Sequence, residues 1–209
     1  MFTGIIESLG TIDKIENINT NLKFEIFSES IIFNSINIGD SLCINGTCLT
    51  VTEKKNRDDK KLLLFDIVRE TLSKTNLGAL KINEKINLET SLKLSDGLDG
   101  HIVQGHVDTI GIIINNKLIN NSWILEIKIN KKWLKYCIKK GSIAIDGISL
   151  TIAKINENNS NNYGFISMSI IPHTLENTNL KYKKTNDTVN IETDFFAKYI
   201  EKLLPKDDK

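Results

Sequence analysis

Residues 43–51 read Cys43-Ile44-Asn45-Gly46-Thr47-Cys48-Leu49-Thr50-Val51, and residues 144–152 read Ala144-Ile145-Asp146-Gly147-Ile148-Ser149-Leu150-Thr151-Ile152. The second stretch repeats the first at an offset of 101 residues. The same offset relates Thr3-Gly4-Ile5-Ile6-Glu7-Ser8-Leu9-Gly10 to Gln104-Gly105-His106-Val107-Asp108-Thr109-Ile110-Gly111. Thr71–Leu77 returns as Thr174–Leu180, and Asn87–Thr90 as Asn190–Thr193, both offset by 103. Four blocks in one order at a nearly fixed spacing mark a tandem duplication. The two-residue change falls where the second copy carries Asn156-Glu157-Asn158-Asn159-Ser160-Asn161-Asn162, the composition of a longer hairpin loop.

Each copy is long enough for a small domain of its own. Lys23–Phe27, Ser41–Thr52, Leu62–Val68 and Lys85–Glu89 are rich in apolar and β-branched residues and read as strands. Trp123–Ile129, Ser142–Ile155, Phe165–Ile171 and Thr188–Glu192 match them in the second copy. Short helices are expected at Asn130–Lys140 and near Thr71–Leu77. The fold class is therefore all-β: two tandem antiparallel barrels of about six strands each, closed so that no strand edge is left bare. The expected limits are 1–97 and 98–194, with a tail over 195–209. In the tail, apolar residues at 195, 196, 199, 200, 203 and 204 form one helical stripe behind Asp194, a suitable N-cap. That stripe either packs on its own barrel or meets another subunit.

Composition narrows the function. Twenty-seven basic residues balance 26 acidic ones, for a net charge of +1. Bulk charge therefore gives no grip on nucleic acid or a membrane surface. The longest apolar run, Ile110–Ile114 broken by Gly111, is too short to span a bilayer. Met1-Phe2-Thr3-Gly4 has no basic leader, so no secretory signal is expected. Three cysteines at unpatterned spacings fit a reduced cytoplasmic protein without a zinc site.

No phosphate loop, metal-binding histidine pair or nucleophile elbow is present. What recurs is a set of small polar groups. Cys48 and Thr50 flank Leu49, so their side chains share one strand face; Ser149 and Thr151 do the same around Leu150. Ser41 and Ser142 also correspond. Such groups suit hydrogen bonding to a flat polar heterocycle or a polyol. Plainer readings exist. Thr50 and Thr151 fit any strand, and Cys48 fits a buried apolar site. His101, His106 and His173 fit loops, and Lys139 and Lys140 fit a solvated helix end.

The blocks MFTGII, NGTCLTV, RETLSKTNLG, DGHIVQGHV, IDGISLT and IPHTLENTNL resemble the riboflavin synthase family over nearly the whole chain. The resemblance implies two six-stranded Greek-key lumazine-binding barrels, a C-terminal helix that assembles a homotrimer, and no metal or cofactor. It implies a reaction in which two 6,7-dimethyl-8-ribityllumazine molecules exchange a four-carbon unit, giving riboflavin and 5-amino-6-ribitylaminouracil, between barrels of neighbouring subunits. Carried over by position, substrate contacts are expected from Gly4, Ile5, Ile6, Cys48, Leu49, Thr50, Asp66, Ile67, Val68, Arg69, Glu70 and Thr71. The second copy supplies Gly105, His106, Val107, Ser149, Leu150, Thr151, Ser169, Ile170, Ile171, Pro172, His173 and Thr174, and Lys140 reaches in from a neighbour.

The chemistry needs a proton taken from a ring methyl, whose anion spreads over the pteridine, and a nucleophile for the donor ring. His106, Ser149 and Thr151 are the candidates for proton transfer; Cys48 and Ser41 are the candidates for activating the nucleophile. The alternative is a non-catalytic lumazine- or flavin-binding antenna protein on the same duplicated fold. Retention of Cys48-Leu49-Thr50 and Ser149-Leu150-Thr151 in both copies favours the enzyme.

Overall fold

The computed structural model describes residues 1–119, 122–157 and 162–204. The first copy contains β1 (Ser8–Ile18), β2 (Asn21–Phe27), α1 (Ser30–Ser35), β3 (Ser41–Ile44), β4 (Thr47–Arg57), β5 (Lys60–Ile67), α2 (Arg69–Lys74) and β6 (Lys85–Thr90). The second contains β7 (Thr109–Ile119), β8 (Ser122–Asn130), α3 (Lys131–Leu134), β9 (Ser142–Ile145), β10 (Ile148–Glu157), β11 (Tyr163–Ile170), α4 (Pro172–Asn177) and β12 (Thr188–Thr193). The chain then ends in α5 (Phe195–Leu203).

Each copy closes into an antiparallel barrel with strand order β1-β2-β5-β4-β3-β6 or its equivalent β7-β8-β11-β10-β9-β12. Pairing of β1 with β6 and of β7 with β12 closes the rings. The register of the long strands shifts at matched places, between Ile12 and Lys14 and between Ile113 and Asn115. Such bulges bend a strand and help a small barrel close. Alternation sends Ile12, Phe24, Leu42, Leu49, Phe65 and Leu88 into the first core and Ile113, Leu125, Leu150, Met168 and Ile191 into the second. Each such side chain contributes about 1.5–3 kcal/mol of hydrophobic stabilisation.

Three local readings change. Ser41–Thr52 and Ser142–Ile155 are not single strands but hairpins. Asn45 and Gly46 (φ 45° and 79°) and Asp146 and Gly147 (φ 44° and 81°) both lie in the left-handed region. That is the two-residue turn that Asn-Gly and Asp-Gly favour. The helix expected at Asn130–Lys140 is only α3. Asn130 does cap it, accepting the Lys132 N–H at 2.9 Å. The chain then tightens through bonds from Tyr136 to Trp133 and from Cys137 to Leu134, and Lys140 (φ 69°) turns it into β9. The helix near Thr71–Leu77 is α2 followed by a 3-10 turn at Asn76–Ala79. Of the polar run Asn156–Asn162, residues 158–161 lie outside the described residues.

The barrels meet through matched residues. Phe2 and Val103 exchange backbone hydrogen bonds at 2.7 and 3.0 Å and pack with Cys43, Ala144 and Cys48. Behind them lies a buried amide network. Asn87 donates from Nδ2 to the Asp146 carbonyl at 2.9 Å, and Asn190 donates from Nδ2 to the Asn45 carbonyl at 2.8 Å. The Asn179 N–H donates to Asn87 Oδ1 and the Asn76 N–H to Asn190 Oδ1, at 2.7 and 2.8 Å. Each barrel thus satisfies the turn carbonyl of the other. Buried polar groups need such partners, so the network favours one relative placement of the barrels.

Asp194 caps α5, accepting the Phe196 N–H at 3.0 Å. The helix is held to the second barrel by Lys198 on Asp108 and by Glu201 on Lys135 and Tyr136. Phe196, Tyr199, Ile200 and Leu203 remain exposed on it. Among the described residues, no helix is long and apolar enough to cross a membrane.

Candidate active site

The repeated polar groups sit on the outer faces of two hairpins. Ser41 pairs directly with Thr50 across β3 and β4, and Cys48 lies two residues before Thr50 on the same face. Ser142 pairs with Thr151 across β9 and β10, with Ser149 beside them. Leu49 and Leu150 point into the barrel cores, so at these two positions only the backbone faces outward.

The segments laid over these faces are exchanged between the copies. The Cys48 N–H donates to the Gly105 carbonyl at 2.9 Å, and the Ser149 N–H donates to the Gly4 carbonyl at 2.8 Å. The Gly4 segment of the first copy thus lies on the Ser149 hairpin, and the Gly105 segment of the second copy lies on the Cys48 hairpin. Both glycines are required. Gly4 has φ +79° and its Cβ would lie 2.6 Å from Ser149 Cβ; Gly105 has φ +78° and its Cβ would lie 2.6 Å from Cys48 Cβ. Ile6 follows Gly4 across and packs on the second core.

Two buried carboxylates hold these segments from the other side. Glu89 Oε1 accepts the Thr3 N–H at 2.6 Å and the Thr3 hydroxyl at 2.8 Å, and the Gly4 N–H lies 3.1 Å from both oxygens. Glu192 accepts the Gln104 N–H at 2.7 Å and the His106 N–H at 2.8 Å, one on each oxygen. Burial pushes both carboxyls above the usual glutamate range, and the donated N–H groups pull them back. Neither glutamate was singled out from the sequence, although both lie in the matched Asn-x-Glu-Thr blocks.

His101, read from the sequence as a loop residue, meets one of the site hydroxyls. Its Nδ1 lies 2.7 Å from Ser149 Oγ. Burial lowers the tendency of this imidazole to take a proton, with the Asp194 charge acting in the opposite sense. His101 lies outside the repeated blocks, which is why the repeat did not flag it. His106 by contrast is exposed; its N–H goes to Glu192, and the preceding Gly105 accepts the Cys48 N–H.

The remaining expected residues divide. Asp66 is exposed on β5 opposite Lys23, Ile67 is buried in the core, and Val68, Arg69, Glu70 and Thr71 form the exposed to half-buried entry to α2. In the second copy, Ser169, Ile170, Ile171 and Pro172 line a cavity of ≈ 400 Å³ with Trp123 and Leu175. His173 and Thr174 follow in the first turn of α4. Ser41 lines a smaller hollow of ≈ 220 Å³ with Asp40 and Thr90. Lys140 is exposed on the turn before β9, and its backbone N–H donates to the Ile152 carbonyl of β10 at 2.8 Å. A groove of ≈ 980 Å³ lies along α5, lined by Tyr136, Ile138, Ile200 and Leu204, and none of the expected site residues lines it. Among the described residues, no cluster of His, Cys, Asp and Glu could hold a metal ion.

Two closed barrels with matched polar hairpins, each covered by a glycine segment from its twin, define a duplicated small-ligand-binding β-barrel protein. The lumazine binding domain family matches the chain twice, over residues 3–91 and 104–194. Riboflavin synthase of Actinobacillus pleuropneumoniae is 39% identical over 208 residues, covering 99% of this chain and 91% of the relative. Riboflavin synthase of Saccharomyces cerevisiae is 37% identical over 211 residues, covering 98% and 86%. Among solved structures, LumP complexed with 6,7-dimethyl-8-(1'-D-ribityl) lumazine superimposes with a TM-score of 0.77 at 25% identity, covering 93% of this chain and 99% of that one. LumP complexed with riboflavin gives 0.78 at 26% identity. The chain belongs to the riboflavin synthase family.

Proposed function

We propose that this protein is a riboflavin synthase: a transferase that moves a four-carbon unit from one 6,7-dimethyl-8-ribityllumazine to another, yielding riboflavin and 5-amino-6-ribitylaminouracil. The observation that carries this reading is the pair of related but non-identical polar hairpins, Ser41/Cys48/Thr50 and Ser142/Ser149/Thr151. A reaction between two copies of one molecule needs two such sites, one for the donor and one for the acceptor. Holding the two rings face to face supplies much of the rate. The two products contain all the atoms of the two substrates, so no oxidant or co-substrate is consumed.

In this reading His106, Ser149 and Thr151 move protons, and Ser149 is oriented by His101. Cys48 and Ser41 activate the nucleophile that adds to the donor ring. Backbone groups of Gly4–Ile6 and Gly105–Val107 meet the ring edges. Residues Asp66–Thr71 and Ser169–Thr174 bind the ribityl chains. Three copies assemble through the apolar face of α5 (Phe196, Tyr199, Ile200, Leu203), which bring the first barrel of one subunit to the second barrel of the next and carry Lys140 to a neighbouring site. We take 1–97 and 98–194 as the domain limits and 195–209 as the assembly tail. The free Cys43, Cys48 and Cys137 support a cytoplasmic setting. The test is direct. Purified protein incubated with dimethylribityllumazine alone is expected to accumulate riboflavin absorbance. Tight binding with no flavin formed would leave a binding protein and overturn the enzyme.

A further inference from the structure

Glu7 and Asp108 occupy equivalent positions in the two copies. Each carboxylate caps the threonine at the end of its barrel's last strand. Glu7 Oε1 accepts the Thr90 N–H at 2.7 Å and the Thr90 hydroxyl at 2.6 Å. Asp108 Oδ2 accepts the Thr193 N–H at 2.8 Å and the Thr193 hydroxyl at 2.7 Å. Here the symmetry ends. Lys198 of α5 donates to both Asp108 oxygens at 2.8 Å. Among the described residues, Glu7 has no such ion pair.

Asp108 ends the Gln104–Asp108 segment, which bears on the Cys48 site. Gly105 accepts the Cys48 N–H, Gln104 and His106 donate to the two oxygens of Glu192, and Asp108 donates its N–H to the Ile191 carbonyl at 2.9 Å. Lys198 therefore lies close to two carboxylates that between them fix this segment. Burial raises the Glu192 carboxyl above its ordinary range; the donated N–H groups and the Lys198 charge act against that rise, and the Asp108 charge adds to it. The pair is also sheltered, with side-chain exposures of 25% for Lys198 and 10% for Asp108. An open surface pair would be too weak to place a segment.

We propose that Lys198 is a positioning residue: through Asp108 it ties α5 to the Gln104–Asp108 segment and so sets the Gly105 carbonyl on Cys48, and His106 next to it in the chain, in the geometry that turnover needs. The proposal rests on the riboflavin synthase reading. It also makes α5 part of the working site, since the seat of the helix reaches Cys48 through one ion pair. The Ser149 face is covered by Gly4 and His101 instead. Lys198→Met should therefore impair turnover more than ligand binding. A shift of about 1 Å in a group bearing on the reacting atoms can lower turnover by up to about a hundredfold.

The experiment compares wild type, Lys198→Met, Lys198→Arg, Asp108→Asn and the Lys198→Met/Asp108→Asn double variant, with mass checked by light scattering. In Lys198→Met, kcat is expected to fall about tenfold with KM changed less than threefold and the mass unchanged. Lys198→Arg should recover most of the loss. Adding Asp108→Asn to Lys198→Met should cost little more, because the two act as one unit. A wild-type kcat in Lys198→Met, a loss that appears only with a change in mass, or fully additive losses in the double variant would each overturn the proposal. A wild-type protein that makes no riboflavin would overturn the functional reading instead, before any variant is compared.

Discussion

The carbonyl of Gly4 accepts the backbone N–H of Ser149 at 2.8 Å, so the start of the chain covers the second barrel and not the first. The Gly105 carbonyl returns the arrangement on Cys48 at 2.9 Å. The copies are therefore locked by exchange. Neither polar hairpin is complete within its own copy, and a change in either glycine should be felt across the barrel interface.

Gly4→Ala is expected to destabilise the protein by roughly 2–4 kcal/mol. It adds a Cβ 2.6 Å from Ser149 Cβ at a φ of +79°. Gly39→Ala provides the comparison: its φ is +94° but nothing lies within 4 Å of the added atom. It should cost only about 1–2 kcal/mol. Urea unfolding midpoints measure both, and equal losses would show that the contact with Ser149 is not tight.

Asn179→Ala removes the amide that donates to Asp146 Oδ2 at 2.9 Å and accepts from Asn87 Nδ2 at 3.0 Å. It leaves a fully buried carboxylate short of a donor. The expected loss is about 3 kcal/mol in urea unfolding. A loss under about 1 kcal/mol would mean that water or a shifted side chain replaces the amide.

His101 gives a pH signature. Burial holds its imidazole below the ordinary value of 6.5. As the pH drops below that value the unfolded chain takes up a proton that the folded chain resists, so His101 lowers stability in acid. Between pH 7.5 and 5.5 the wild type should lose more stability than His101→Gln, with all other titrating groups common to both. Parallel losses would mean that His101 titrates as a free imidazole.

Cys48→Ala, His106→Gln and Ser149→Ala, made one at a time, should each lower kcat at saturating dimethylribityllumazine, by at least about tenfold and up to roughly a hundredfold where a proton-transfer group is lost. Riboflavin formation followed by absorbance decides it. A variant that keeps the wild-type rate loses its assigned role.

A chain ending at Asp194 should sediment and scatter light as a monomer, while the full chain behaves as a trimer. The exposed Phe196, Tyr199, Ile200 and Leu203 would otherwise face water. Equal masses for the two chains would place the assembly contact elsewhere.

The duplication was readable because a repeat needs no structure to be seen, and the alternation Cys48-Leu49-Thr50 showed which side chains share a face. The Asn45-Gly46 and Asp146-Gly147 turns were present as a known two-residue signal but lay hidden inside apolar runs that read as continuous strands. β1 and β7 went undelimited because Asp13, Lys14 and Asn115-Asn116 interrupt their alternation at the bulges. α3 proved short because neither propensity nor a capping Asn130 could outweigh the turn into β9.

From the sequence alone follow two closed barrels of like construction, a capped amphipathic tail, and two matched sets of small polar groups on strand faces. Each of these depends on local periodicity or on repetition, which the order of residues records directly. Which barrel receives Gly4, that His101 meets Ser149, that Glu89 and Glu192 hold the exchanged segments, and that Lys198 reaches Asp108 are decisions of the tertiary structure. They join residues 48 to 145 positions apart or set one copy against its twin. Symmetric copies offer the same partners twice, so local sequence cannot choose between them. The choice falls to packing at the interface, where the buried amide network and the glycine contacts favour one arrangement.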